Sequence, residues 1–251
     1  MKKTLFVIFS LILLGVFCAK QEAPGIRLSP PKWTDNEVNQ YQVLVGGQPS
    51  GSYIMSIRLS QIGADSTIEL SALTYIKVAS GETRDSSWMV LRRDNLRPIK
   101  SVKVLNTHGV TLSSEVTYSR DKAAIKAKIP SGEKSVDIPI GINHFDNDEI
   151  TTLLRALELK PDEEKELNTV TGLGGTSIPV KIKITGEEKL TVPAGEFECN
   201  KYQMTLAGRA IEVFYEKTGM KRMVKYHDTV ANMIMELAPP GAAEETKPKK
   251  K

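Results

Sequence analysis

Ser131-Gly-Glu-Lys134 has the S-x-x-K spacing of the penicillin-recognising serine enzymes, and Lys217-Thr-Gly219 supplies their K-T-G. A serine with a lysine beside it would be an acyl-transfer nucleophile. In those enzymes the serine opens a helix, whereas Ser131 follows Ile129-Pro130 between two alternating segments, and no S-D-N occurs. Both motifs are therefore read as turns. His144, Asp146, Asp148 and Glu149 are of metal-ligating type, but a calcium loop opening at Asp146 needs glycine at its sixth position and glutamate at its twelfth. Thr151 and Leu157 stand there instead. Helix capping explains the acids better, and no metal is expected. Gly172-Leu-Gly-Gly175 could cradle a phosphate only at the start of a helix, and an alternating segment follows it. His108 and His227 lack acids or cysteines at ligand spacing, and there is no G-x-S-x-G elbow. Cys199 has no basic residue directly beside it to lower its pKa and is read as a small buried side chain. No catalytic residue and no cofactor is assigned, and the chain is not expected to be an enzyme.

The elements that would position these residues are mostly strands. Leu190 and Val192 alternate up to Pro193-Ala194-Gly195, and Phe197 and Cys199 resume beyond it, which predicts strand, turn, strand. Pro193 fixes φ for a turn and Gly195 tolerates a positive φ. Period-two alternation also runs through Tyr41, Val43, Val45; Tyr53 to Leu59; Ile68 to Val78; and a succession of short segments from Trp88 to Ile140. It returns through 167–170, 178–184, 211–215, 223–226 and 233–237. The links are too short for parallel crossovers, so the expected fold is all-β and mainly antiparallel, a strongly curved sheet forming a barrel or half-barrel. One segment departs from this pattern. Ile150, Leu153, Leu154 and Leu157 fall at helical spacing after Asp146, which with Glu149 has the spacing of a capping box. One amphipathic helix is expected at 146–159, with Pro161 barring its continuation. Met89 to Lys100 and Val213 to Val224 share a pattern of strand, charged pair, turn and returning strand, a weak internal echo.

The 251 residues suit one large β domain, and the formal charge of +4 disperses on inspection. Lys2 and Lys3 belong to the leader, and a tail with four lysines and two glutamates holds two more net positives. The folded part is near neutral, which argues against nucleic acid as a partner. Lys2-Lys3, the apolar run from Leu5 to Phe17 and then Cys18 read as an export signal over 1–18. Two routes fit its processing: acylation of Cys18, or release as a soluble secreted protein. Residues 19–36, with Pro24-Gly25 and Pro30-Pro31, read as a tether on which Trp33 docks, 37–238 as a single β domain and 239–251 as a disordered basic tail. The expected location is the periplasm or, through Cys18, the outer membrane, with no other hold on a membrane.

Val192-Pro-Ala-Gly-Glu-Phe-Glu-Cys199, the preceding Gly186-Glu-Glu-Lys189, and the later Val213-Phe-Tyr215 with Met223-Val-Lys-Tyr226 resemble the C-terminal part of an exported bacterial family. That family is domain of unknown function 3108. Tyr41-Gln-Val-Leu-Val-Gly-Gly47 resembles its opening strand and turn, and Phe145-Asp146 through Leu157 its middle helix. The resemblance covers about residues 38–237. It brings no activity with it, and implies a strongly curved antiparallel sheet similar to the lipoprotein carriers of the periplasm. Two functions of different kinds fit such a chain. A hollow sheet would bind a lipid or other apolar small molecule, lined by Met55, Ile57, Leu70, Met89, Phe197, Phe214 and Met223. A filled sheet with an exposed apolar patch would instead dock an envelope protein.

Overall fold

The computed structural model describes residues 25–242. The expected export signal, Cys18 and most of the basic tail lie outside them. The first eight strands are β1 (Glu37–Val45), β2 (Gln48–Ile62), β3 (Asp65–Val78), β4 (Gly81–Arg92), β5 (Pro98–Thr107), β6 (Val110–Tyr118), β7 (Lys122–Ile129) and β8 (Gly132–Pro139). After the short β9 (His144–Asp146) and a helical turn come β10 (Glu164–Thr171), β11 (Thr176–Val192), β12 (Gly195–Leu206), β13 (Arg209–Glu216), β14 (Met223–Asp228) and β15 (Met233–Ala238). Each segment read as alternating in the sequence is a strand. The Pro193-Ala194 turn closes the β11–β12 hairpin, with Val192 opposite Gly195, whose φ is +129.

Among the described residues all fifteen strands form one sheet, ordered β8-β7-β6-β5-β4-β3-β2-β1-β15-β14-β13-β12-β11-β10-β9. Every ladder is antiparallel except β9 with β10. The two ends of this order, β8 and β9, are consecutive in the chain and separated only by residues 140–143. A link that short can join opposite edges only if the sheet has curled through nearly a full turn, so the edges meet without a ladder between them. The fold is thus an open, strongly curved half-barrel. Its edges are blunted in two ways: β8 is charged and almost wholly exposed, and β9 is three residues long.

The helix is shorter than its sequence pattern. A 3-10 turn (Asn147–Glu149) leads into α1 (Ile150–Leu154), with Arg155 as C-cap. The capping box is present: the Asp146 side chain accepts from Asp148 N at 2.9 Å, and Asp146 N donates to Glu149 Oε1 at 2.7 Å. The expected continuation to 159 is corrected by a tertiary contact. Leu157 forms a β-bridge with Leu28, while Ser29 N donates to the Ala156 carbonyl and Glu158 N to that of Arg27. Residues 27–29 of the expected tether thus compete for the backbone that would have made the third helical turn. Ile26 and Leu28 pack on the core and Trp33 is buried, so this part of the segment is held against the domain.

The two echoing hairpins, β4–β5 and β13–β14, carry a register shift at the same place in the pattern, at Val90/Leu91 and Phe214/Tyr215. The likeness extends to backbone geometry at that step.

Candidate functional site

The residues richest in chemistry gather where the sheet's edges meet. Arg97, in the β4–β5 turn, donates through Nη1 to the His144 carbonyl at 2.7 Å and through Nη2 to that of Gly141 at 2.9 Å, and lies over the Phe145 ring. Asp146 Oδ2 accepts from Ser101 Oγ on β5 at 2.5 Å and from the Tyr118 hydroxyl on β6 at 2.6 Å. Lys103 sits between Asp85 on β4 and Asp148, each 2.9 Å away. Val170 of β10 packs with Val116, Tyr118, Ala123 and Ile125 of β6 and β7. Side chains, not backbone pairing, therefore weld the seam. Of the four residues that could have been metal ligands, Asp146, Asp148 and Glu149 do capping and welding. His144 Nδ1 bonds to the Gly141 N–H.

Burial pushes Asp146 up to about 6, a rise enlarged by Asp148 and moderated by the Ser101 and Tyr118 hydroxyls. Glu149, fully buried with Oε2 unpartnered, is pushed well above the ordinary carboxyl range, also by burial first. A carboxyl whose pKa is raised by folding holds its proton more tightly folded than unfolded. Its favourable contribution is complete below the unfolded pKa and is lost as pH rises through the folded value. For Asp146 that window runs from about 4 to about 6. Relative to Asp146→Asn, which cannot ionise, the wild type should lose on the order of 1–3 kcal/mol of stability across that window and then level off. Urea midpoints of both proteins at pH 4, 5, 6 and 7 check this. Parallel curves would mean that Asp146 ionises in the fold as it does in water.

A second buried polar cluster lies under the docked segment. Arg155 Nη2 donates to Glu37 Oε2 at 3.2 Å and to the Met220 carbonyl at 2.8 Å. Nη1 lies 2.9 Å from Glu37 Oε1, too poorly aligned for a hydrogen bond, and Nε has no partner among the described residues. The Trp33 ring covers the guanidinium at 4.8 Å, and Asn39 Nδ2 donates to Glu37 Oε1 at 2.6 Å. This arrangement anchors residue 33, β1, the end of α1 and the β13–β14 turn to one charge pair.

Six of the seven residues expected to line a cavity are fully buried, and Phe197 is half-buried. Met55, Ile57, Leu70, Met89, Phe214 and Met223 are buried in one continuous core, together with Phe145, Leu153 and Leu154. Thr152 Oγ1 donates to Met55 Sδ at 3.6 Å, so α1 is plugged directly onto β2. Phe197 is half-buried beneath the Arg222 guanidinium, and Lys201 lies over the Phe214 ring. None of the seven borders the cleft lined by Arg97 and Tyr118 or the cleft lined by Leu157 and Tyr202. Leu153 and Leu154 of the helix and Ala156 and Leu157 of the turn that follows belong to the same core. Cys199 is buried, and burial, with Glu216 and Glu198 nearby, pushes its thiol up to about 11, away from reactivity. Ser131 is exposed in the β7–β8 turn, and Lys217 pairs with Glu187.

Two features were not read from the sequence. One is a cleft of about 520 Å³ at the seam, bordered by Arg92, Arg97, Arg120, Tyr118, Ile140 and Ile142. The other is a neutral stripe on the convex face. Ile54, Leu73, Ser86, Val104 and Ser113 are successive partners across β2 to β6, and Val38, Ser56, Ser71, Trp88 and Val102 form the next row from β1 to β5. Residues opposed in this way share a face, and these ten carry no charge. Val38, Leu73 and Trp88 are 53%, 48% and 38% exposed. The only sequence signal for it was serine and apolar residues alternating with the inward set.

This geometry defines a curled antiparallel half-barrel with a short helix packed into its core. A solved structure of the same overall shape is the β-barrel-like protein of domain of unknown function DUF1849 from Brucella abortus. It has a TM-score of 0.51 and 8% identity over 85% of this chain and 97% of that one. A protein with a YmcC-like fold from Bacteroides fragilis aligns with a TM-score of 0.31 and 11% identity over 84% of this chain and 97% of that one. The model of the family DUF3108, protein of unknown function, matches residues 40–235, and the chain belongs to that family. No curated protein matches it by sequence.

Proposed function

We propose that the protein is a non-catalytic interaction module of the cell envelope, exported by its leader, which docks a partner protein through the convex stripe centred on Leu73 and Trp88. The observation that carries this reading is where the apolar surface lies. Phe145, Leu153, Leu154 and the inward residues of the sheet pack into one continuous core, while an uncharged patch remains outside. Exposed contiguous apolar surface marks association sites, and tryptophan near the centre of such a patch is the residue type that anchors interfaces. A lipid carrier would need the reverse distribution.

The test uses protein taken from its own envelope after cross-linking, compared with Leu73→Glu and Trp88→Glu. Both positions are exposed, so the fold should persist, and one cross-linked species should be lost from both variants. A stoichiometric lipid recovered by solvent extraction and mass spectrometry, with cross-linking unaffected by either change, would overturn the module in favour of the carrier.

A further inference from the structure

The guanidinium groups at the seam cleft have unequal partners. Arg92 is paired with Asp65. Arg97 is half-buried, yet both its Nη atoms are spent on neutral backbone carbonyls, and no carboxylate lies within ion-pairing distance among the described residues. Arg120 is exposed and likewise has no acidic partner there. Glu149 is the buried carboxyl whose charge bears on Arg97, and its burial favours the protonated form. Asp121, the one acid bordering the cleft, accepts from Ser119. A partly desolvated guanidinium without a counter-charge favours an oxyanion, which it can bind in a planar, forked geometry.

Ile99, Ile140 and Ile142 add an apolar side to the wall, and Ile142 is 46% exposed. An inorganic ion would use the arginines and leave that wall wet, whereas the head and neck of an amphiphile would cover both. The chain also reaches the domain at this place. Gly25 lies against Ile142, and Ile26 N donates to Asn143 Oδ1 at 3.0 Å. Seven residue steps separate Cys18 from Gly25, a span of at most roughly 25 Å when fully extended. If Cys18 carries lipid, Gly25, which lies against the cleft's Ile142, is within about that distance of the bilayer. We propose that the seam cleft docks on the membrane surface by taking the phosphate of an anionic phospholipid headgroup between Arg97 and Arg120, with Ile142 against the lipid neck. This contact is separate from the convex stripe and survives if that interface fails.

The test mixes the full-length protein, purified in mild detergent, with vesicles of phosphatidylglycerol and phosphatidylcholine or of phosphatidylcholine alone, and sediments them. An anchor on Cys18 contributes equally to both, so the preference for anionic vesicles isolates the headgroup. A preference above about five-fold is expected, since one cation near an anionic surface is worth about that factor. Arg120→Glu, at an exposed site that should leave the fold intact, and Arg97→Gln should each remove most of it. Arg84→Glu, the same charge change at the other end of β4, should not. No preference, or an equal loss with Arg84→Glu, overturns the proposal. So does displacement from anionic vesicles by millimolar inorganic phosphate at constant ionic strength, which would make the cleft a small-anion site.

Discussion

Arg155→Leu is expected to cost about 3–5 kcal/mol of folding free energy, seen as a lowered denaturant midpoint. The reason is what the substitution leaves behind. Among the described residues Glu37 would keep only Asn39 as a side-chain hydrogen-bonding partner, the Met220 carbonyl would lose its donor, and Trp33 would lose the cation it covers. An unpaired buried charge costs more than the pair was worth, because two desolvated charges repay each other only while both are present. The double variant Arg155→Leu/Glu37→Leu should therefore recover most of the loss. Equal midpoints for the single and double variants would show that the guanidinium stabilises by volume and packing rather than by pairing.

Gly51→Ala should be as severe or worse. A Cβ on Gly51 would lie 1.8 Å from the Tyr75 carbonyl oxygen and 2.8 Å from its carbon, atoms of the neighbouring strand's backbone that no rotamer change can move aside. Gly51 also pairs with Val43 next to the register shift in the β1–β2 ladder, so the strands cannot separate locally without loosening the middle of the sheet. Overpacking of side chains typically costs about 1–3 kcal/mol, and a backbone clash should exceed the top of that range. Gly63→Ala is the comparison. Its φ of +60 carries strain of about 1 kcal/mol, but nothing lies within 4 Å of the added carbon. Similar thermal midpoints for the two variants would refute the close approach at Gly51.

The strands were legible because burial on one face of a sheet writes itself as alternation. The cap of the helix was legible because Asp146 and Glu149 act within one turn. The helix end was not. Leu157 continues the apolar stripe, and only the Leu28 backbone, more than a hundred residues earlier, decides that it pairs instead of coiling. Inward-facing methionines and leucines read identically whether they border a cavity or a plug, since alternation reports which face is buried and not what buries it. The residues of the seam cleft come from separate turns and from the link between the edges, and no spacing joins them until the sheet curls. The resemblance to the family located the domain and the hairpin but left the joined edges unread. Those depend on the strand order.

That order has a consequence for how the chain is made. Among the described residues, thirteen of the fourteen ladders join strands that follow one another, so each can zip as soon as its second strand has emerged. The remaining one pairs β1 with β15, at the centre of the sheet. A chain emerging amino end first, from a ribosome or a translocation channel, must keep the second flank of β1 unpaired until Met233–Ala238 has appeared. Until then the nascent protein presents an open strand flank through Tyr41 and Val43, the kind of surface that recruits a second chain. Synthesis rate and holding chaperones should therefore matter more to the yield of this protein than its finished stability suggests, and truncations that remove β15 should aggregate rather than fold as smaller domains.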